Sequence, residues 1–265
     1  MPEVTGLFRH PVKSLTPESR KSLEIMADGR VKGDRVLAFR FQNAGDASDW
    51  AWQTKQNFAG LVNTPGLAKL WAKYDDDDRH LQVYENSLLI IDGSIDDPAH
   101  RSTMIRTFTD YVMTLSENPL TEHPERCPLV LVGDGEQPLF HDSADGLVTL
   151  YSTESLIALG AAMGDNNLDG KRFRSNIVVS GMSNPFTELS WINKSLRIGE
   201  MEFVVTKTIK RCLVTHANPA TGERDRDIMG TLTRQFTGEI PQFAIKLQLI
   251  SGPGVLRLGD QIELA

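Results

Sequence analysis

Apolar and polar positions alternate with period two over residues 201–209, MEFVVTKTI, where Phe203 and Val205 fall on one side and Val204 on the other. That is the pattern of a strand in a well-buried sheet. Similar short runs, bounded by Gly, Pro, Asn and Asp, predict strands over residues 3–9, 35–42, 88–91, 128–132, 176–179, 243–250 and 261–264. The period lengthens over residues 98–115, where Ile105, Phe108, Val112 and Leu115 share one face. Asp96 or Asp97 stands as the cap there, and Pro98 is at the first helical position. A second helix is expected from Ser152 to Gly164 with Leu156 and Leu159 inward, and a short one over residues 65–74. The expected class is mainly β with a few helices, α+β. The polar stretch SENPLTEHPERCP suggests a boundary near residue 120, dividing the chain into 1–120 and 121–265.

Charge narrows the range of partners. With 35 acidic against 28 basic side chains the net charge is -7, which argues against a general affinity for nucleic acid or an anionic membrane. The opening MPEVTGLFRHPVKSL has no apolar leader, and the longest aliphatic run, residues 88–91, is strand-sized; the expectation is a cytoplasmic, unanchored protein. The two cysteines, Cys127 and Cys212, lie 85 positions apart, too far for a CxxC zinc clip and too few for an iron–sulfur cluster. Electrons, if needed, come from another molecule. The chain has no GxGxxG, P-loop, GxSxG or HExxH motif, and the run Asp75–Asp78 reads as a solvated loop.

Basic clusters stand out against this acidic background. Lys171, Arg172 and Arg174, followed by Ser175 and Asn176, sit at the mouth of a predicted strand. There guanidinium groups suit a phosphate or carboxylate, and an Asn can read an amide edge; a solubilising loop would look the same. Lys13 and Ser14 directly follow the first strand, and Arg35 opens another, each able to aim donors at an anion or to form a surface turn. Cys212 follows a strand and has Lys210 and Arg211 beside it, neighbours that favour the thiolate, the form that ligates metals. Taken by itself it reads first as a packed, inert cysteine. His216, four residues on, is a candidate base, with Asp225 a second by proximity; Cys127 receives no role.

Taken together these segments resemble the MOSC family, the domain named for the C-terminal part of molybdenum-cofactor sulfurase. They are most similar to two-part proteins in which a MOSC_N β-barrel-like domain precedes the MOSC β-barrel, as in the amidoxime-reducing components and their bacterial relatives. The resemblance rests on Pro-Val-Lys-Ser at 11–14, Gly-Asp-Arg at 33–35, Lys-Arg-Phe-Arg-Ser-Asn at 171–176, and Glu188 with Trp191. It extends to Lys-Arg-Cys at 210–212, Asn-Pro-Ala-Thr-Gly at 218–222 and Leu-Gly-Asp at 258–260. Ser175 stands where many relatives have Pro, and Asn218 where Asp is common. The chain ends soon after its last strand, without the ferredoxin-like domain of some bacterial relatives.

The resemblance implies a molybdenum cofactor, a phosphate-bearing pterin dithiolene. It implies that Cys212 ligates the metal and is the catalytic residue, and that Lys13, Ser14, Arg35, Arg174, Asn176 and Arg211 hold the cofactor. The implied activity is reduction of a small N-hydroxylated or N-oxide substrate, with electrons from a separate ferredoxin- or flavoprotein-type donor. The alternative is a cofactor carrier or sulfur-relay protein with Cys212 as a persulfide site.

Overall fold

The computed structural model describes residues 1–46 and 48–264. The chain opens with β1 (Glu3–Arg9), β2 (Glu18–Arg20), β3 (Ser22–Ile25) and β4 (Ala38–Arg40), then a meander of β5 (Leu70–Asp75), β6 (His80–Glu85) and β7 (Leu88–Ser94). Helix α1 (Pro98–Thr114) leads to β8 (Val130–Val132), β9 (Val148–Ser152), α2 (Thr153–Ala162), β10 (Ile177–Ser180), β11 (Ser195–Ile198) and β12 (Met201–Lys210). A short α3 (Ile228–Leu232) and strands β13 (Gln242–Leu249), β14 (Gly254–Arg257) and β15 (Ile262–Leu264) complete it. Mainly β with a few helices is therefore the observed class.

The largest sheet has eight strands in the order β15-β11-β12-β13-β9-β10-β1-β2. β9 and β10 run parallel, and the other neighbours are antiparallel. The expected barrels are not closed by continuous strand ladders among the described residues. What joins the two flanks of the large sheet is one antiparallel bridge, Glu3 with Gln261. Beside it Val4 N–H donates to Asp260 O at 2.9 Å and Ile262 N–H to Pro2 O at 2.9 Å. In the first half, β5-β6-β7 form a three-stranded meander, β4 pairs with β8, and β3 pairs with β14 from the far end of the chain.

The two largest apolar cores follow from these layers. One lies under the meander and α1, where Phe39 stacks on Phe108 with ring centres 3.7 Å apart and Val112 and Leu131 fill the neighbouring space. The other lies against the large sheet and gathers Leu7, Leu150, Ile177, Phe203, Val205, Ile245 and Leu247. Fully burying side chains of this size is worth roughly 1.5–3 kcal/mol each. Helix α1 starts where predicted: Asp97 accepts from Ala99 N–H at 2.7 Å and His100 N–H at 3.3 Å, and Pro98 occupies the first turn. Its buried face is Met104, Phe108, Thr109 and Val112, one step round from the expected stripe, with Ile105 half-buried.

The helix expected over 65–74 is a correction. Pro65–Lys69 form a 3-10 turn, and Leu70, Ala72 and Tyr74 then alternate inward as strand β5. The acidic run behaves as a turn: Asp75 accepts from Asp77 and Asp78 N–H at 3.0 Å each, while Asp76 pairs with buried Arg9. Arg9 also donates to Glu18 Oε2 at 3.0 Å and Tyr74 O at 2.6 Å, tying β1 and β2 to the meander. Among the described residues no helix is long and apolar enough to cross a membrane.

Candidate functional site

Between the large sheet and the first half of the chain lies a cavity of about 560 Å³. All seven residues that the MOSC resemblance implies for the cofactor line it: Lys13, Ser14, Arg35, Arg174, Asn176, Arg211 and Cys212. Nine lining side chains are Lys or Arg, against a single lining carboxylate, Asp142. In a protein of net charge -7 such a concentration favours an anionic occupant. A wider groove of about 620 Å³ near Trp71 is lined by none of the seven.

Local backbone geometry aims these groups. Ser14, Arg35 and Arg174 have φ of 71°, 55° and 53°, left-handed conformations that turn the chain sharply at the cavity wall. Gly60 packs so close to Ser14 that an added Cβ would lie 2.9 Å from Ser14 Oγ. Lys13, buried, donates to Phe140 O at 3.0 Å and Asp142 Oδ1 at 2.6 Å. Burial pulls its pKa below the usual lysine value, opposed by Asp142.

Arg35 pairs with Asp34 and donates to Arg174 O at 3.0 Å, so the two arginine-bearing loops are locked together. Arg174 in turn donates to Leu15 O at 2.7 Å. Burial, then the charge of Arg35, lowers Arg174 to about 9. Arg211 donates to Phe243 O at 2.7 Å and Phe173 O at 3.1 Å and lies over both rings, while its buried Nη2 has no partner among the described residues. Burial lowers Arg211 to about 10. Crowded, desolvated guanidinium groups with an unused donor are what an anion would relieve.

Asn176 lines the cavity, but its amide is engaged by the protein. Nδ2 donates to Phe8 O at 3.2 Å and Asp34 Oδ2 at 3.3 Å, and Oδ1 accepts from Thr149 N–H at 3.3 Å and Thr149 Oγ1 at 3.2 Å. It thereby fixes Asp34, which holds Arg35. Asp34 is wholly buried; burial pushes its carboxyl up, but Arg35 and His10 hold it well below the ordinary range. His10 and His141 flank it, with Nδ1 of His10 at 3.4 Å and Nε2 of His141 at 4.0 Å. Burial, then Arg35, lowers both imidazoles to about 3, so both are neutral at physiological pH.

Cys212 leaves β12 in extended conformation and is a free thiol. Its carbonyl accepts from Thr215 N–H and Oγ1, each at 3.0 Å, which pins the turn that follows. Lys55, from a turn 157 positions away, donates to Cys212 Sγ at 3.2 Å. His216 does not face the sulfur: its Nε2 accepts from Met229 N–H at 3.3 Å. Asp225 is held by Arg172 at 2.7 Å and Asn218 at 2.7 Å. Neither lines the cavity. Among the described residues there is no cluster of three or more His, Cys, Asp or Glu able to hold a metal by themselves.

Sequence reading missed Lys55, Asp142 and His141. Lys55 lies in TKQN, a polar loop without motif, and only its cross-chain contact marks it. Asp142 and His141 carried one available signal, a His-Asp pair in a Gly-rich turn region, which is too common to single out.

The family model described as "MOSC domain" matches residues 137–263, the segment that carries Arg174, Asn176, Arg211 and Cys212. The chain is a MOSC-domain protein. Among curated relatives, a molybdenum cofactor sulfurase of Caenorhabditis elegans is 29% identical over 86% of this chain and 31% of its own length. Mitochondrial amidoxime reducing component 2 of Homo sapiens is 30% identical over 46% of this chain and 29% of its own, and component 1 of Mus musculus 30% over 49% and 39%. This MOSC protein thus spans about a third of the length of these three curated relatives. Lys13, Ser14, Arg35 and Lys55 precede the matched MOSC segment.

Proposed function

We propose that this MOSC protein binds a molybdenum cofactor in the cavity and reduces N-hydroxylated or N-oxide compounds by oxygen-atom transfer, using electrons from a separate donor protein. The observation that carries the reading is the meeting of one free thiol, Cys212, with nine basic side chains in a single cavity of about 560 Å³. The donor set fits such a group. A phosphate suits Lys13, Ser14, Arg35 and Arg174, the unpartnered Nη2 of Arg211 offers a further buried donor, and Cys212 Sγ supplies one soft ligand. With no other ligand cluster among the described residues, the remaining metal ligands would come with the cofactor. When bound, the cofactor supplies a metal centre that accepts an oxygen atom and takes up electrons. The chain's own part is to fix the anionic end through Arg35 and Arg174, present Sγ on a pinned turn, and keep bulk water off with Leu61, Leu147 and Val214.

Protein purified from a host that makes molybdopterin is expected to carry molybdenum by mass spectrometry and pterin by fluorescence, near one per chain; metal-free and pterin-free protein sinks the reading. Cys212→Ala is expected to lose most of the metal, and full retention would remove the thiol from the ligand role. A second reading, carrier or sulfur relay, draws on the sulfurase that matches over 86% of this chain. It predicts a persulfide on Cys212, detectable by mass spectrometry, and loaded protein that does not reduce a model amidoxime when supplied with electrons.

A further inference from the structure

Five lysines line the cavity, and they differ in how their charge is met. Lys13 lies 2.6 Å from Asp142, and Lys207 and Lys246 lie 2.8 and 2.6 Å from the two oxygens of Asp145. Lys55 and Lys210 have no ion pair among the described residues. The single polar partner of Lys55 there is Cys212 Sγ, at 3.2 Å, and Lys210 is exposed two residues before the same sulfur. Uncompensated positive charge is thus placed at the thiol end of the cavity, on two flexible side chains from different parts of the chain. At the other positions each lysine contacts an aspartate, Lys207 and Lys246 sharing Asp145.

Lys55, which touches Cys212 Sγ and forms no ion pair among the described residues, and Lys210, exposed on the same cavity, place positive charge that selects among incoming molecules. Asp142, which feels the charge of Lys55, is already paired with Lys13. We infer that the small molecule that reaches the Cys212 end carries an anionic group, a carboxylate or oxyanion, recognised by Lys55 and Lys210. This rests on the proposed function for the identity of the reaction, but the charge selection itself belongs to the chain and is measurable without the cofactor. The competing use of the same charge, to balance the cofactor, is separable because it would show in cofactor content.

The test compares iodoacetate with iodoacetamide on cofactor-free protein at one pH. Both reagents attack the same thiolate, so the ratio of their rates cancels its abundance and reads only the charge at the approach. Cys127, followed in the same samples by peptide mass spectrometry, is the internal reference, since Glu125 lies close to it. The iodoacetate to iodoacetamide ratio is expected to be about tenfold higher at Cys212 than at Cys127, and to fall about threefold or more in the Lys55→Met, Lys210→Met double variant. Equal ratios at the two cysteines, or an unchanged ratio in the variant, overturn the inference.

In loaded protein the double variant is expected to keep its molybdenum and pterin, and to raise KM for a carboxylate-bearing amidoxime about tenfold relative to the neutral parent. Loss of cofactor with no change in that selectivity would assign the lysines to the cofactor and overturn the inference. If loaded wild-type protein reduces neither amidoxime, the proposed reaction fails, and the alkylation ratio still decides the charge selection.

Discussion

Asp34 has no route to water, and its neighbours decide what it does. Its oxygens meet His10 N–H at 2.6 Å, Asn176 Nδ2 at 3.3 Å and Arg35, so removing its charge leaves a guanidinium without its counter-ion. Asp34→Asn is expected to destabilise the fold by about 3–5 kcal/mol, as for breaking a buried pair, read from urea unfolding; a loss below about 1 kcal/mol would contradict this account. The two histidines beside it set a pH signature. In the unfolded chain each titrates near its ordinary value of about 6.5. In the folded protein both are lowered to about 3, so between those values the unfolded state binds more protons. Stability is therefore full above pH ~6.5 and falls as the pH drops toward 3, by about 1.4 kcal/mol per pH unit for each histidine. His141→Gln is expected to halve that slope, and a flat urea midpoint between pH 6.5 and 4.5 would refute it. Sequence could flag Arg35 but not this network, because nothing in local spacing says that residues 10, 34, 141 and 176 share one buried volume.

At the scale of elements, strands with strict alternation were legible: residues 3–9 form β1 as predicted, and β12 and β13 match to within a residue. Leu70–Asp75 was misread because Pro65 and Leu67 gave a helical opening that the chain uses for a 3-10 turn before switching to period two. β9 was missed because Val148–Ser152 is short and merges into the cap of α2. That helix start is held from another segment. Buried Glu188 accepts from Ser152 N–H at 3.1 Å and Ser155 Oγ at 2.7 Å, and Ser155 Oγ accepts from Phe186 N–H at 2.7 Å. Glu188→Gln retains the shape but turns one acceptor into a donor facing a hydroxyl and an amide. We expect a cost of about 1–3 kcal/mol and faster hydrogen exchange at Ser155 and Phe186; unchanged exchange there would remove Glu188 from the capping role.

Over the whole molecule, the cavity walls come from both sides of residue 120: Lys13, Ser14, Arg35 and Lys55 from one, Arg174, Arg211 and Cys212 from the other. An occupant that bridges them stabilises their union. Cofactor-loaded protein is expected to unfold at higher temperature than cofactor-free protein, by the equivalent of about 2.7 kcal/mol at a hundredfold excess of ligand over Kd; coincident melting curves would argue against binding in this cavity. The basic motifs spread along the chain pointed to residues that the fold brings into one cavity. The cavity's electrostatic imbalance was not legible in them, because it depends on which lysines find an aspartate after folding.

The interleaving has one more consequence. β1, from the first nine residues, is inserted between β10 and β2 and pairs with β10 from Glu3–Ser180 to Leu7–Ile177. A fragment trimmed to the family-matched residues 137–263 would leave β10, whose Ile177, Val178 and Val179 are buried in the whole chain, as a bare sheet margin. Unsatisfied strand margins of that apolar kind recruit other chains. Such a minimal domain is best thought of as an adhesive surface: the opening residues act as its permanent cover, and self-association is what their removal would release.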